Sequence, residues 1–406
     1  MIEATGADFL PLPPDADYDD SDMDAAFPER AGLTGPAGIR YDISTIFLRP
    51  ALSQLAAVEL ALASEATDAI LLEPMFLGTL ALTRKPRSER PALITLGIIP
   101  LGLSSPDTAP YGLGITPMRG PLGRIRNALL RYIAQNVIFG SVQKEAETLV
   151  MQATGSRLDT FFMNGQKYAD AIVQFSVPAF EYPRKNLPAK VRFVGPVSRT
   201  NVSSSELPDW WEDLDGTRPV VHVSQGTVAN RDFSQLIAPT IAALARENVL
   251  VVVTTGGRSI ETIPGPLPAN VRIASYLPYD RLLPLTDVFV SNGGYGGVHY
   301  ALEHGVPLVV AGKTEDKAEV TARVGWSGAG INLNTSTPSA HKIRKAVRKV
   351  LNDASYRVTS SRIGAEITAS SGLLGLEDVI VNAASVEALQ SPSQGSHLSK
   401  SMNGSY

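Results

Sequence analysis

The sequence predicts an α/β protein with two doubly wound domains. Three observations carry that reading. The chain has 406 residues, and single hydrophobic cores rarely grow past about 250–300 residues. Its second half alternates short apolar runs with helical stretches, the pattern of a parallel sheet covered on both faces. Glycine-rich segments follow those runs directly, where such sheets bind their ligands.

Composition narrows the classes of function. Hydrophobic residues make up 44% and charged residues 19%, which is ordinary for a soluble globular protein. A formal charge of −4 provides no overall basic field for nucleic acid. Cysteine is absent, which excludes disulfides, thiolate nucleophiles and cysteine-ligated zinc and fits a reducing, cytoplasmic compartment. No run of about 18 uninterrupted apolar residues occurs, so no transmembrane segment is predicted.

Residues 1–10 have neither a charged n-region nor a long apolar core, so they are not a signal peptide. They read as the end of a helix, a glycine turn and a short strand, as if the chain began mid-domain. Residues 13–40 are acidic and rich in Pro and Gly, with Asp15, Asp17, Asp19, Asp20, Asp22 and Asp24 clustered. They lack the glycine and closing glutamate of a calcium loop, so they read as a solvated loop and no metal site is predicted.

Residues 1–195 form the expected first domain. Leu52–Ala63 is apolar at helical spacing, and Asp68–Leu72 and Ala92–Leu96 read as buried parallel strands. Residues 100–123 read as a long surface loop. Leu122–Phe139 reads as a helix with Arg124, Arg126 and Arg131 beside Ile125, Leu129 and Leu130. Its arginines are expected in solvent, the alternative being peripheral contact with a membrane surface or an apolar acceptor. Residues 196–218 read as a linker.

Residues 219–390 form the expected second domain. Strands are expected at Val220–Val223, Val249–Thr254, Val271–Ala274, Val288–Val290, Leu308–Ala311 and Ile331–Asn332. A helix is expected over Asp232–Glu247, opened by Asp232 and Gln235 at capping-box spacing and bent at Pro239. Residues 391–406, rich in serine, are expected to be a disordered tail.

Three loops after strands bear on chemistry. Ser224, Gln225, Gly226 and Thr227 follow the first strand of this half, and a glycine there lets backbone N–H groups approach a phosphate or sugar. Strand-to-helix turns also contain glycine for steric reasons alone. Ser291-Asn292-Gly293-Gly294-Tyr295-Gly296-Gly297 precedes a helix, so exposed N–H groups and the helix dipole both favour a diphosphate. It is neither a Walker loop nor a strict dinucleotide fingerprint. Glu315, Asp316 and Lys317 follow another strand, where carboxylates either accept hydrogen bonds from sugar hydroxyls or complement a helix dipole.

The stretch Val290–Val310, together with Thr314–Lys317, Arg323–Gly330, Gln225–Thr227 and Tyr276–Tyr279, resembles the nucleotide-sugar glycosyltransferases that include UDP-glycosyltransferases and antibiotic macrolide glycosyltransferases. The order and spacing of these pieces agree over about 170 residues of the family pattern. The resemblance implies a GT-B fold, two facing Rossmann-like domains, with the acceptor in the first and the donor in the second. It implies Tyr276 and Leu277 beside the base, Gly293–Gly297 around the diphosphate, and Asp316 with Lys317 on the sugar. Lys317, Asn292 and Tyr300 depart from the residues the family commonly has there. No cofactor is implied beyond the nucleoside-diphosphate sugar as co-substrate, and inverting transfer to a hydroxyl is implied. The first half is apolar around Ile98–Leu103 and Leu122–Leu130, which suits a lipophilic small molecule, such as a terpenoid, polyketide or sterol, as acceptor better than a polysaccharide.

The family also opens with a strand, a Gly-His loop and a helix that supply the base. This N-terminal domain reads as incomplete, lacking that unit. The five histidines are His222, His299, His304, His341 and His397, none in the first half. No catalytic residue is assigned from the sequence. The alternative to a transferase is a non-catalytic protein that retains nucleotide-sugar binding.

Overall fold

The computed structural model describes residues 5–385 except 19–22, 34, 198–206, 228–229 and 264. The expected tail and much of the expected linker lie outside the described residues. Ten strands form two parallel sheets among them. The first sheet has the order β1-β2-β3-β4, with β1 Ala69–Leu72, β2 Ala92–Gly97, β3 Ala171–Gln174 and β4 Val191–Phe193. The second has the order β10-β9-β8-β5-β6-β7. Its members are β5 Val220–Ser224, β6 Leu250–Thr254, β7 Val271–Ala274, β8 Val288–Ser291, β9 Leu308–Val310 and β10 Gly330–Asn332.

The central strands of the second sheet, β5, β6, β8 and β9, are buried throughout, as β-branched runs covered on both faces must be. One face packs Val221, Val223, Val251 and Val253 against Ile237, Ile241, Ile343 and Val347. The other packs Phe289, Leu308 and Val310 against Val298, Leu302, Ile363 and Ile367. Each such side chain, fully buried, contributes about 1.5–3 kcal/mol of transfer free energy.

Several expectations change. Residues 7–13 form no strand after the Gly6 turn. The helix expected over Asp232–Glu247 is confined to Ile237–Leu244. It is not bent at Pro239, because that proline falls in the first turn, where a missing N–H costs nothing. The capping box does not form: the Asp232 carboxylate takes the Ser234 N–H at 2.8 Å, and the helix is capped from another loop. Strands β3 and β4 are short and flanked by loops, and they leave no periodic pattern of their own in the sequence.

The arginine helix is turned the other way round. Gly120–Tyr132 continues into a π-helical turn, Ile133–Ile138. Its Leu122, Ile125 and Leu129 are exposed. Arg126 donates to Thr116 O at 3.1 Å, Arg131 donates to Ser105 O, and Arg124 pairs with Asp107 at 3.2 Å. Two of the guanidiniums serve backbone carbonyls of the loop beneath them, while that of Arg124 stays more than half exposed beside the Asp107 carboxylate. That loop is no mere surface loop, because Leu101, Leu103, Ser105 and Thr108 are buried.

The last described helix, Gly372–Ser385, falls in the range read as second domain yet packs on the first sheet. Leu376, Val379, Ile380 and Ala383 cover Ala92, Ile94, Ala171 and Val173. The Gly372 N–H donates to Val194 O at 2.7 Å at the crossing. By length and composition alone, one helical run among the described residues, Gly35–Ser64, would suit a membrane span. It is tied to the first domain, where the Gln54 amide oxygen accepts from the Gly78 N–H at 3.1 Å.

Candidate functional site

The second sheet reverses its winding between β5 and β8. These strands pair in parallel with Ser224 opposite Ser291, yet β5 continues to β6 on one side and β8 to β9 on the other. The loops leaving their carboxyl ends therefore diverge and open a crevice, the position where open α/β sheets bind ligands. Gln225–Thr227 forms one wall and Asn292–Gly297 the other. The Asn292 amide spans the two, donating to Gln225 O at 2.5 Å.

Each glycine of the second wall has a distinct role. Gly293 has φ +86°, and a Cβ there would meet Thr321 Cγ2 at 2.5 Å, so glycine is required twice over. Its N–H is taken by Ser291 Oγ at 3.1 Å, and that of Gly294 by Asn292 Oδ1 at 3.3 Å. Gly294 is the N-cap of the helix Tyr295–Glu303. The N–H groups of Tyr295, Gly296 and Gly297 belong to the first turn, which has no intrahelical acceptors. A Cβ on Gly296 would meet nothing within 4 Å. Such donors and the positive end of a helix dipole favour negative charge.

Other predicted residues divide between the crevice and the scaffold. Ser224 is buried and its Oγ accepts from the Gly226 N–H at 3.2 Å. Gln225 turns its side chain away from the crevice. Its Oε1 accepts from Leu236 N–H at 3.2 Å and Ile237 N–H at 3.0 Å, which makes it the missing helix cap. Thr227 is exposed. Leu277 packs against the cluster of Leu214, Val220, Leu250, Val252 and Leu282, whereas Tyr276 is 63% exposed. The Tyr295 hydroxyl leaves the crevice and bonds Gln174 of the first domain at 2.8 Å.

One wall was missed in the sequence. Thr255-Gly256-Gly257 follows β6 just as the other loops follow their strands. Gly256 and Gly257 have φ +64° and +91°. A Cβ on Gly256 would collide with Gly226 O, and one on Gly257 would meet the Tyr276 hydroxyl at 2.5 Å. The pair of glycines was signal enough under the strand-end rule.

The loop after β9 completes the crevice. A narrow cavity is lined by Gln225, Asn292, Gly312, Thr314 and Lys317. Glu315 is held in the left-handed region at φ +55°, a strained position for a residue with a Cβ. Lys317 is buried and pairs with Glu315. Asp316 heads the helix Lys317–Ser327 without capping it. Burial raises its carboxyl above the usual range, Lys317 offsets part of this, and Glu315 adds to it.

His222 and His299 are scaffold. His222 lies between Val252 O at 3.0 Å and the Tyr279 hydroxyl at 3.2 Å. His299 lies between Tyr295 O at 2.8 Å and Ser176 Oγ at 2.9 Å. Burial pushes both imidazoles down to about 4, against a smaller opposing effect of the carbonyls they bond. Among the described residues no acid, histidine or cysteine cluster could hold a metal ion.

The first domain meets this site through buried charge. Arg323, fully buried on the Lys317–Ser327 helix, bonds Glu319 at 2.8 Å and Glu181 of the first domain at 3.0 Å. Arg184 adds a second cation 3.5 Å from Glu181. Burial alone would raise the Glu181 carboxyl, and the two guanidiniums outweigh it and hold it below the usual range. Glu319 Oε1 also accepts the Gly112 and Gly114 N–H groups, both at 2.9 Å, and Glu181 Oε1 accepts from Leu101 N–H at 3.1 Å. The long loop after β2 is thus tied to the Lys317–Ser327 helix directly at Gly112 and Gly114, through Glu319, and indirectly at Leu101, through Glu181, which Arg323 of that helix holds.

Comparison with known proteins agrees with this geometry. Residues 238–372 match the model of the erythromycin biosynthesis protein CIII-like C-terminal domain. The chain is 40% identical over 381 residues to the 4'-demethylrebeccamycin synthase of Lentzea aerocolonigenes, covering 93% of this chain and 89% of that protein. It is 36% identical over 396 residues to UDP-glycosyltransferase 2 of Phaeomoniella chlamydospora, covering 94% and 86%. The crystal structure of the calicheamicin glycosyltransferase CalG4 superposes with a TM-score of 0.65 at 20% identity, covering 90% of this chain and 85% of that one. Parallel sheets, a crevice at the switch point and relatives aligned along nearly the whole chain together place this protein in the family of macrolide-type GT-B glycosyltransferases, as a transferase of the secondary-metabolite kind.

Proposed function

We propose that the crevice binds a nucleoside-diphosphate sugar and that the enzyme moves its hexose or deoxyhexose to a hydroxyl of a lipophilic small molecule, with inversion. The observation that carries this reading is the Gly293–Gly297 turn at the switch point, with its helix N-terminus opening beside the β5 loop. In the reaction the acceptor hydroxyl oxygen attacks the anomeric carbon and its proton is released to solvent. The bond from that carbon to the diphosphate breaks, and the diphosphate leaves with the electron pair. A helix N-terminus placed on the diphosphate stabilises the charge that develops as the bond breaks. A single displacement inverts the anomeric carbon. Asp316 stands where its carboxylate would accept hydrogen bonds from sugar hydroxyls, and the Tyr276 ring beside Gly257 offers a flat surface to the base.

Calorimetric titration with UDP, dTDP and GDP tests the donor reading. Gly296→Ala is the discriminating variant, because its methyl enters open space and leaves the fold intact. In a helix that change is expected to stabilise by up to about 1 kcal/mol. The expected result is binding of at least one diphosphate, weakened about tenfold or more by Gly296→Ala, as loss of a charge-assisted contact implies. No binding by any of the three, or unchanged affinity in the variant, overturns this reading.

A further inference from the structure

The free edge of the second sheet carries a groove that the crevice does not use. Strand β10 pairs with β9 on one side only. Along its other side runs an open groove of about 860 Å³, within the size range of ligand sites. Two helices overhang the strand, one on each face. Val320 and Val324 of the Lys317–Ser327 helix pack with Leu308 and Val310, while Ile343 and Val347 of the Ala340–Asn352 helix pack with Val309 and Ile331. Gly114–Thr116 of the first domain form the far wall, held where Glu319 takes the Gly112 and Gly114 N–H groups.

The edge has backbone groups to offer. Ala329 O accepts from the Leu308 N–H at 3.0 Å, and the Leu333 N–H donates to Val310 O at 2.9 Å. Both bonds point to β9. By the two-residue period of a strand, the Gly330 and Asn332 peptide groups point the other way, into the groove. The Asn332 carbonyl is taken by the Asn334 amide at 3.3 Å. The Gly330 N–H and carbonyl and the Asn332 N–H have no partner among the described residues. Gly325, whose Cβ would lie 3.4 Å from Asn332 Cβ, leaves the space beside the strand open.

The groove is charged on one side. Lys342, Lys345 and Lys349 line it from the Ala340–Asn352 helix, and all three are exposed. No carboxylate lines it, and none of these lysines forms an ion pair among the described residues. Their neighbour Arg348, by contrast, is paired with Glu247 at 2.8 Å. Along the helix the lysines are about 4.5 and 6 Å apart, close to the roughly 6.6 Å between side chains on one face of a strand. The other helix presents Trp326. Lysines on an edge strand keep other strands away. These sit beside the strand and on one face only, so they repel a basic chain and attract an acidic one. In a protein of net charge −4 they make a local positive surface.

We propose that an extended acidic segment of a partner protein pairs with β10 and adds a seventh strand to the second sheet. Its backbone bonds the Gly330 and Asn332 N–H groups and the Gly330 carbonyl. Carboxylates at every second residue meet Lys342, Lys345 and Lys349, and apolar residues between them turn to Ala322 and Trp326. Main-chain bonds supply affinity and the alternate side chains supply selectivity. A small anion would use the lysines and leave the strand edge unpaired, so the two features together favour a polypeptide. The groove shares no lining residue with the crevice, so this inference stands apart from the nucleotide reading.

Fluorescence anisotropy of a labelled Asp-Val-Asp-Val-Asp-Val peptide, titrated with the whole chain, tests this. At low salt the peptide should bind about tenfold tighter than its Asn-Val counterpart, as three exposed ion pairs together imply. The difference should shrink at about 1 M salt, where the Debye length is about 3 Å. Lys342→Glu combined with Lys345→Glu should remove the preference and leave the melting temperature unchanged. Two N-methylated peptides separate strand addition from charge attraction alone. One is methylated on the Asp nitrogens and the other on the Val nitrogens, so each blocks one edge of the added strand. One of them should lose binding while the other keeps it. No binding of the Asp-Val peptide, the same affinity for both methylated forms, or unchanged binding in the double variant overturns the proposal. Binding of tripolyphosphate without binding of the peptide overturns it too, in favour of a small-anion site. So does self-association of the chain that the double variant abolishes, which would give the edge to a second copy.

Discussion

The two halves of this enzyme hold their site loops by different means. In the second domain each loop is shaped by its own glycines and short polar side chains. Ser291 and Asn292 bond the N–H groups two residues ahead, and Gly293 takes a backbone conformation that few other residues adopt. In the first domain the long loop after β2 has its contacts elsewhere. Glu319 and Arg323, more than two hundred residues away in the chain, hold it through buried charge. Even the first sheet is covered by a helix from the far end of the chain, Gly372–Ser385. Locally held loops can be read from sequence, and loops held at a distance cannot.

The strongest way to break this contrast is to remove the distant anchor. Arg323→Met leaves Glu181 and Glu319 buried without their shared partner. Breaking a buried pair in this way costs about 3–5 kcal/mol, to be read as a lower urea midpoint. Replacing Glu181, Arg184, Glu319 and Arg323 together by apolar residues should recover part of that loss, because no charge of the cluster then remains to be desolvated. A loss below about 1 kcal/mol in the single variant would show that the long loop after β2 holds itself.

Acidification probes one histidine of each kind. His222 lies within the second domain, while His299 reaches Ser176 of the first. Both have folded values near 4, below the ordinary 6.5. The unfolded chain therefore binds protons first. The stability these groups contribute is fully present above pH 6.5 and is lost as pH falls towards 4. Each is worth at most about 3 kcal/mol, at about 1.4 kcal/mol per pH unit. Urea unfolding at pH 7 and pH 4.5 measures the difference, and His299→Gln should remove about half of it. Equal stability at the two pH values would mean that the imidazoles are hydrated.

The mildest test sharpens the contrast inside the second domain. Gln225 lies in a predicted ligand loop but caps the Ile237–Leu244 helix with its side chain. Gln225→Ala should cost about 1–2 kcal/mol of stability, as loss of a cap does, while the affinity for nucleoside diphosphate changes less than threefold on the same order-of-magnitude scale. A large affinity loss in a fully stable variant would return Gln225 to the ligand.

What the sequence by itself determined is the second domain. The apolar runs from Val220 to Asn332 became strands β5–β10, since a strand buried on both faces must be apolar along its length. The Gly293–Gly297 turn before a helix was legible because glycines so closely spaced mark a sharp change of backbone direction between a strand and a helix. The capping of the Ile237–Leu244 helix was not, because a distant amide replaced the local carboxylate that the spacing had promised. Nor was the orientation of the Gly120–Tyr132 helix, whose arginines turned inward to the carbonyls of a loop that no periodicity describes. Only the tertiary structure decided that Thr116 and Lys345 line one groove and that Glu181 meets Arg323 across the domains. Backbone conformation and side-chain period are local quantities and leave their mark within a few residues. Pairing of buried charges and the walls of a groove depend on which surfaces fold together, and that is settled only when the two sheets are in place.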